Sequence, residues 1–310
     1  KNAPLGGFRE VDLTLTNGGQ NAILIVMQAV LKGRRPTVFV EELAYPGFRR
    51  AAELLRVNVV AIAMDKDGII PEALAAACDA YEAQILCTSP EVHNPTCGFT
   101  PESRREEIVE IARKHDLQIL EDDCYRMGAA EAPTYRMLAP ERGWYVSSIS
   151  KTVTPSLRIG IAVAPEGKGP KLRRAAEHSF FGLATPITDL CARLLVHPQL
   201  DSLTTKARMG TNAFVEIAVN ILGGYDLHWR KDVPFLWLKL PEGWRAGAFC
   251  QAAEAVGVQI RPAEEFACRD ARVPHAVRFA INAGVSLESF EAAIGRLRDL
   301  LDNPQEQIGV

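Results

Sequence analysis

A single lysine stands between two serines in residues 147–160, whose sequence is SSISKTVTPSLRIG. Lys151 is flanked by Ser148 and Ser150, and Arg158 follows seven residues later. A lysine at the end of a buried strand loses hydration, which lowers the pKa of its amine and makes it a nucleophile toward an aldehyde. Hydroxyls and a guanidinium around one point suit a phosphate dianion. The stretch therefore indicates a site for a phosphate-bearing aldehyde, with a solvated surface lysine as the alternative.

A glycine pair, Gly18 and Gly19, separates the alternating run VDLTLT from an apolar run with helical spacing. The glycines let the backbone approach a ligand closely, and the helix that follows points free N–H groups at an anion. Gln20 completes the TNGGQ turn. The turn predicts further phosphate contacts, although an ordinary tight turn would have the same sequence.

Two more polar side chains, Asp122 and Tyr125, lie in EDDCY, directly after the apolar run LQIL. An unpaired carboxylate is costly at the end of a strand buried on both faces, so Asp122 needs a cationic partner. A protonated pyridine nitrogen is one candidate, and a structural arginine is the other. Tyr125 is close enough in sequence to reach a hydroxyl of the same ring.

Three single residues complete the set of candidates. Asn94 precedes a proline that restricts its backbone, so its amide is fixed at a strand end. Tyr45 follows another strand, where it can stack on an aromatic ring or pack into the core. Arg278 stands inside the strand-like HAVRFAIN, where burial demands either a substrate carboxylate or a structural acid as its anionic partner.

Short apolar runs alternate with helical segments over the first half of the chain. Strands are predicted at TVFVEEL, VVAIAM, AQILCTSP, LQILEDD, WYVSSIS and LRIGIAVAP. The alternation predicts an α/β fold, a three-layer α/β/α domain with a largely parallel sheet. Ligands bind beyond the carboxyl ends of such strands, where TNGGQ, SPEVHNPT, EDDCY and SSISK all fall. We also expect Thr100 to be the N-cap of the helix in residues 101–116.

A helical stretch from about residue 171 to 223 is followed by a different pattern. The strand-like runs FLWLKL, GVQI and AVRFAI alternate with two amphipathic helices. These predict a smaller α+β layer at the C-terminal end. We place the large domain at residues 1–200 and the small C-terminal domain at residues 201–310.

The composition limits the function classes. A formal net charge of −3 gives no overall electrostatic attraction to nucleic acid or to an anionic membrane. A local basic patch is compatible with this net charge. No apolar run approaches the ~20 residues of a membrane span. The seven cysteines lack CxxC spacing, so we predict no metal site and read most of them as buried hydrophobes. A cytoplasmic protein is expected.

Taken together, these segments resemble the pyridoxal-phosphate-dependent enzymes of fold type I, specifically the class I and II aminotransferases. The strongest element is SxSKxxxPxLRxG, and TNGGQ, AYPGF, HNPT, EDDCY and VRFA occur in the family's order. The resemblance runs from about residue 4 to residue 301. It implies pyridoxal 5′-phosphate as the cofactor, with Lys151 as the lysine that forms a Schiff base with it.

The resemblance also implies a role for each candidate. Tyr45 would stack on the pyridine ring, and Asp122 would pair with its protonated nitrogen. Asn94 and Tyr125 would bind the ring's phenolic oxygen, while Asn94 and Arg278 would bind the substrate, Arg278 through the α-carboxylate. The cofactor phosphate would be held by Gly18, Gly19, Gln20, Ser148, Ser150 and Arg158. The implied catalytic residues are Lys151, Asp122 and Tyr125.

The sequence departs from the family pattern in three places. The family commonly has Asn-Pro-Thr-Gly where this chain has Cys97 after Thr96, with Gly98 one place later. A family tyrosine usually precedes the segment that resembles APLGGFRE, and a helix usually separates FRE from VDLTLT. We therefore expect residues upstream of Lys1 and between Glu10 and Val11.

The resemblance favours a homodimeric aminotransferase that exchanges an amino group between an amino acid and a 2-oxo acid. A second hypothesis is the effector-sensing domain of a GntR/MocR-type transcription regulator, since the same motifs resemble those domains. Lyase or racemase chemistry is a third. Because residues 1–310 contain no helix-turn-helix pattern, we predict no nucleic acid partner for this chain unless an upstream DNA-binding domain exists, and no membrane partner.

Overall fold

The computed structural model describes residues 3–281 and 284–303, within which thirteen strands and ten α-helices form. The strands are β1 Leu13–Thr16, β2 Thr37–Glu41, β3 Asn58–Ile62, β4 Met64–Asp65, β5 Gly68–Ile69, β6 Ala83–Thr88, β7 Gln118–Asp122, β8 Gly143–Ser148, β9 Gly160–Val163, β10 Leu227–His228, β11 Phe235–Lys239, β12 Arg261–Pro262 and β13 Ala276–Ala280. The helices are α1 Gly19–Val30, α2 Pro46–Leu54, α3 Pro71–Ala80, α4 Glu102–Lys114, α5 Tyr135–Leu138, α6 Gly169–Phe180, α7 Thr185–Leu195, α8 Leu200–Leu222, α9 Ala246–Ala255 and α10 Leu287–Asp302.

Seven strands form the main sheet in the order β1-β9-β8-β7-β6-β2-β3. Strands β3, β2, β6, β7 and β8 are parallel, and β9 runs antiparallel to both β8 and β1. Since β1 then points the same way as β8, the polar segments after β1, β6, β7 and β8 reach the same edge of the sheet. The predicted α/β fold with a largely parallel sheet is confirmed.

Alternation along β2 shows how the sheet separates two apolar layers. Val38 and Val40 belong to the core cluster with α1, which contributes Ile23 and Val26. Phe39 points to the opposite face and joins a second cluster. That cluster includes residues of β6, β7 and α4, namely Leu86, Ile119, Ile108 and Val109. Helices on both faces of one sheet give the predicted three layers.

A second sheet, ordered β10-β11-β13-β12, is antiparallel throughout and packs against α8, α9 and α10. This is the predicted smaller α+β layer. The predicted strand GVQI is displaced, because the pairing begins at Arg261, after the chain leaves α9 through Gly257 with φ +80°. Helix α8 begins at Leu200, and the division between residues 200 and 201 stays a prediction.

Two details at element starts differ from the sequence expectations. Helix α4 has Pro101 as its N-cap without a side-chain cap, so the expectation for Thr100 was wrong. The Thr100 hydroxyl lies instead against Gly68. A short 3₁₀ helix, Glu10–Asp12, leads directly into β1. Among the described helices, none combines the length and apolar character that a membrane span requires.

Candidate active site

Lys151, Tyr125 and Arg278 meet at the polar edge of the main sheet. Lys151 lies in the turn after β8, and its Nζ is 5.3 Å from the centre of the Tyr125 ring. Arg278 reaches the same ring from β13, at 5.9 Å, and also hydrogen bonds to Tyr125. Although Lys151 as a residue is exposed, partial desolvation of its amine lowers the pKa, and the charges of Arg278 and Arg158 lower it further.

The glycine turn, the serines and Arg158 form a second part of the site. Gly18 has φ +84°, and a Cβ placed on it would lie 3.3 Å from the Arg158 guanidinium. Ser148 Oγ is 2.9 Å from Ser150 Oγ and accepts a hydrogen bond from the Ser150 N–H at 3.1 Å. Helix α1 begins at Gly19, so the free N–H groups of its first turn lie beside these residues. Such a set of donors and one cation suits a phosphate dianion.

Gln20 and Tyr45 lie together beside this part of the site. The Gln20 side-chain amide donates to the carbonyl of Gly47 at 2.8 Å, so it ties α1 to α2. A Cβ on Gly47 would collide with both Gln20 and the Tyr45 ring. Burial, together with the nearby Asp122 charge, raises the pKa of Tyr45 to about 12. Tyr45 is therefore close to Asp122, on the same side of the sheet.

Asp122 is 5% exposed at the end of β7. It accepts a hydrogen bond from the Cys124 backbone N–H at 3.0 Å, and no described residue forms an ion pair with it. Burial raises the pKa of Asp122 to about 6. The structural arginine offered as one alternative by the sequence does not occur among the residues that the structure describes. A carboxyl group in this situation lacks the cation that its burial requires.

Asn94 is 2% exposed, and its Oδ1 has no hydrogen-bond partner among the described residues. The turn that holds it is fixed by His93, which the sequence reasoning missed. His93 Nδ1 lies 2.6 Å from Thr96 Oγ1, and its Nε2 lies 2.9 Å from the Leu43 carbonyl. His93 thus joins the Asn94 turn to the segment that leads to Tyr45. Its signal was its place in HNPT.

Cys97 has a left-handed backbone conformation in this turn. Its φ is +62°, the left-handed conformation that a glycine would adopt more easily. The Cys97 N–H donates to the His93 carbonyl at 2.8 Å, and its thiol donates to the Phe235 carbonyl at 3.3 Å. These bonds and burial hold the residue in a conformation that costs an L-residue about 1–2 kcal/mol.

Arg278 lies over three aromatic rings, and no acid among the described residues pairs with it. Its guanidinium carbon is 4.4 Å from the centre of the Phe235 ring and 5.7 Å from that of Phe266. No described carboxylate forms an ion pair with it, and its Nε is buried without a hydrogen-bond partner. Burial lowers the pKa of Arg278. The site therefore holds one unpaired carboxyl group and one cation without an anion, in addition to the amine of Lys151.

Cys124 is a second residue that sequence reasoning missed. A Cβ on Gly19 would lie 2.4 Å from the Cys124 Sγ, so the thiol touches the glycine turn. Burial and the Asp122 charge raise the pKa of this thiol well above its usual value, so it stays protonated beside Asp122. Its signal in the sequence was its place inside EDDCY.

The strand ends of the largely parallel sheet carry Lys151 and Asp122, and Arg278 reaches them from β13 of the smaller sheet, with no ion-pair partner for Asp122 or Arg278 among the described residues. Such an arrangement is typical of a small-molecule site. A family model described as aminotransferase class I and II matches residues 7–297. The chain therefore belongs to the class I and II aminotransferase family. Membership of this family implies pyridoxal 5′-phosphate as the cofactor.

Two relatives illustrate the breadth of this family. The chain is 30% identical over 302 residues to the "Uncharacterized HTH-type transcriptional regulator YdeF" of Bacillus subtilis, covering 96% of this chain and 65% of YdeF. It is 29% identical over 265 residues to the 2-aminoadipate transaminase of Thermus thermophilus, covering 80% of this chain and 65% of that enzyme. The chain thus spans less than two thirds of the length of either relative.

Solved structures share the fold. The α-aminoadipate aminotransferase LysN of Thermus thermophilus superposes with a TM-score of 0.83 at 23% identity, covering 96% of this chain and 78% of LysN. The kynurenine aminotransferase of Pyrococcus horikoshii gives a TM-score of 0.84 at 21% identity, covering 96% of this chain and 76% of that enzyme. At these identities the likeness concerns the fold alone.

Proposed function

We propose that this chain is a pyridoxal-phosphate-dependent aminotransferase that exchanges an amino group between an amino acid and a 2-oxo acid. The observation that carries the proposal is the unpaired set around Lys151. Asp122 is buried without a cation, and Arg278 is partly buried without an anion, among the residues that the structure describes. A cationic pyridine ring and an α-carboxylate supply the two missing partners.

The residues present fit the cofactor at each of its polar groups. Asp122 pairs with the ring nitrogen and keeps a proton on it, and Tyr45 stacks on the ring. Asn94, whose Oδ1 is unpartnered, and Tyr125 bind the phenolic oxygen side of the ring. The phosphate is held by the glycine turn, the two hydroxyls and the guanidinium, that is by Gly18, Gly19, Gln20, Ser148, Ser150 and Arg158.

When bound, the cofactor supplies an aldehyde that joins to amines and a ring that takes up electrons. Lys151 has a lowered pKa, so a larger fraction of its amine is neutral and nucleophilic. With the cofactor bound, Lys151 would be the residue that holds and transfers a proton at the substrate α-carbon. Arg278 holds the α-carboxylate and so fixes which α-carbon bond faces Lys151.

A homodimer in the cytoplasm is the proposed working form. Apolar side chains stand in solvent on and around α7 and α8, with Phe181 96% exposed and Val196, Leu203 and Met209 also exposed. A second copy of the chain would cover such a surface. All seven cysteines are free, which suits a reducing compartment.

A ligand-sensing role is the second candidate, because the relative YdeF aligns over nearly the whole chain and its name describes an HTH-type transcriptional regulator. In that role the same residues would bind the cofactor and an amino compound without turnover. Lyase or racemase chemistry uses the same cofactor residues and is distinguished by its products.

The test is an absorbance spectrum of the purified chain with pyridoxal phosphate, before and after a pool of amino acids. The proposal expects a visible band that Lys151→Ala lacks and Lys66→Ala, a change at an exposed lysine, retains. Amino acids should abolish the band, and a 2-oxo acid should restore it. Absence of any band refutes the cofactor site. A band that amino acids perturb without formation of a 2-oxo acid favours the sensing role.

A further inference from the structure

Helix α6 is bordered by three adjoining grooves on the surface away from the candidate active site. The first, of 440 Å³, lies between α1 and α6 and is lined by Lys171, Arg174 and His178 among others. The second, of 530 Å³, contains Lys32, Lys168 and again Lys171. The third, of 470 Å³, contains Arg9, Arg173 and again Arg174. Lys171 and Arg174 join the three grooves into one continuous surface. We call it the α6 surface, defined by Arg9, Lys32, Lys168, Lys171, Arg173, Arg174 and His178.

The α6 surface is strongly positive in a chain whose net charge is −3. Six lysines and arginines line the three grooves, against two acids, Asp116 and Glu177. Asp116 already lies 3.6 Å from Arg142, which is outside the grooves. Among the cations of the α6 surface, Lys32, Lys168, Lys171, Arg173 and Arg174 form no ion pair within the described part of the chain. Lys168 does donate a hydrogen bond to the Gln118 side chain. These charges have no described acid as a partner and are available to an external anion.

The cations stand on a rigid support. Lys171, Arg174 and His178 follow the spacing i, i+3 and i+7, so they lie along one face of the helix. The opposite face is anchored in the core by Leu172 and Ala176. Helix α6 has 12 residues and is thus about 18 Å long. Lys171 and Arg174 on this helix, with Arg9, Lys32, Lys168 and Arg173 in the adjoining grooves, spread six cations over the α6 surface. Such a spread of charge suits an extended polyanion better than a single small anion.

We propose that the α6 surface binds the phosphate backbone of duplex DNA without reading its sequence. A membrane-bound helix inserts a row of exposed apolar residues into lipid, whereas the exposed apolar residues that line these grooves are Val11 and Pro170, both in the third groove. Single-stranded nucleic acid needs exposed aromatic rings for stacking, and Trp144, the aromatic residue that borders the second groove, is buried. Charge alone suffices for duplex phosphates.

The proposal is independent of the catalytic function and revises the expectation drawn from the overall charge. If about four phosphates are contacted, the logarithm of the binding constant should fall with the logarithm of salt concentration with a slope of about −3.6. Between 50 and 200 mM salt this amounts to a loss of about 100-fold in affinity. Removing two of the cations should reduce the slope by about 1.8.

The experiment is fluorescence anisotropy of a labelled 30-base-pair duplex of arbitrary sequence, titrated with the chain between 50 and 200 mM NaCl. The variant is Lys171→Gln combined with Arg174→Gln. The matched control is Arg272→Gln combined with Arg296→Gln, which removes two exposed cations of the smaller layer. We expect the first pair to weaken binding at 50 mM salt at least tenfold and the control to leave it unchanged. Unchanged thermal unfolding of both variants excludes misfolding as the cause.

Three results would overturn the proposal. The first is no binding at 50 mM salt with the chain at 100 µM, about the weak end of non-specific affinity. The second is equal loss of affinity in the variant and the control. The third is tighter binding of a single strand of equal length, or of vesicles containing anionic lipid, than of the duplex.

Discussion

Three successive acids at the end of β7 have different surroundings. Glu121 accepts a hydrogen bond from the Tyr135 N–H at 2.7 Å and lies 3.8 Å from Arg105. Asp123 lies 2.7 Å from Arg126 and accepts the Tyr145 hydroxyl at 2.6 Å. Asp122 lies on the other face of the strand, and no cation among the described residues forms an ion pair with it.

The difference separates structural acids from an acid kept for a ligand. All three are buried, so each is costly as an anion unless a cation lies nearby. On the face of Glu121 and Asp123, the nearby cations are arginines of this chain. On the face of Asp122 the neighbours are the Cys124 thiol and Tyr45, neither of which is a cation. An external cation is the partner that the Asp122 face lacks.

We call the face of β7 that carries Glu121 and Asp123 the structural face. Removing Arg105 from this face should have the largest effect on stability. Arg105 is fully buried, donates to Glu91 at 2.8 Å and also donates to the Thr100 and Pro133 carbonyls. Arg105→Ala leaves Glu91 buried without a cation, so we expect a loss of about 3–5 kcal/mol in the free energy of unfolding. Urea unfolding of the cofactor-free chain at pH 7 measures it.

Arg113→Ala on the same helix is the control for that change. Arg113 is 41% exposed and pairs with the exposed Glu110 and Glu141, so its removal should cost less than about 1 kcal/mol. Equal losses for Arg105→Ala and Arg113→Ala would show that the buried ion pair between Arg105 and Glu91 contributes no more to stability than an exposed one.

On the Asp122 face of β7, which we call the ligand face, removing a charge is expected to increase the free energy of unfolding. The pKa of Asp122 is raised from 3.8 to about 6, so ionisation of this group costs folding free energy. The cost is absent below about pH 3.8, grows up to about pH 6 and is complete above it. Asp122→Asn removes the cost and should stabilise the cofactor-free chain at pH 8 by up to about 3 kcal/mol. Unfolding in urea at pH 5 and pH 8 should show a larger gain at pH 8.

The same variant should bind pyridoxal phosphate about 10- to 100-fold more weakly, because a neutral amide makes a weaker bond to the protonated ring nitrogen. Equilibrium dialysis gives this affinity. A variant that is less stable than the parent chain at pH 8 would mean that Asp122 is a structural acid like its neighbours.

The sequence was sufficient to predict the sheet, because its strands are short, apolar and separated by clear helical periods. It also predicted a candidate site, since the polar clusters TNGGQ, SPEVHNPT, EDDCY and SSISK at the ends of strands must share one edge. The roles of these residues stay predictions. It could not decide whether Asp122 had an arginine partner. That choice depends on which face of β7 meets Arg105 and Arg126. Arg105 comes from α4, which is separate from the motif in the sequence, and Arg126 directly follows the motif but turns to the side chain of Asp123.

Contacts made by short side chains across distant segments were also beyond the sequence. Nothing in EDDCY indicates that the Cys124 thiol touches Gly19, because that contact needs the relative position of β7 and α1. Similarly, the conformation of Cys97 follows from bonds to His93 and Phe235, the second of which lies in the smaller layer.

The smallest expected effect tests how closely the ligand face is packed. A methyl group on Gly19 would lie 2.4 Å from the Cys124 Sγ, so Gly19→Ala should destabilise the chain by about 1–2 kcal/mol and weaken pyridoxal phosphate binding. Adding Cys124→Ala removes the sulfur, and the nearest remaining Cys124 atom would be its Cβ at 3.7 Å. The double variant should therefore recover at least half of the loss in both measurements.

Gly247→Ala, near the start of α9, is the matched control for that cycle. A Cβ there meets no atom within 4 Å, so the change should be neutral or stabilising by up to about 1 kcal/mol. Thermal unfolding and dialysis of the four chains complete the measurement. If Cys124→Ala fails to rescue Gly19→Ala, the glycine is required by its backbone approach to the phosphate rather than by the thiol. In that case the lack of a side chain at Gly19 would serve the binding of the cofactor phosphate, and it would not be needed for packing against Cys124.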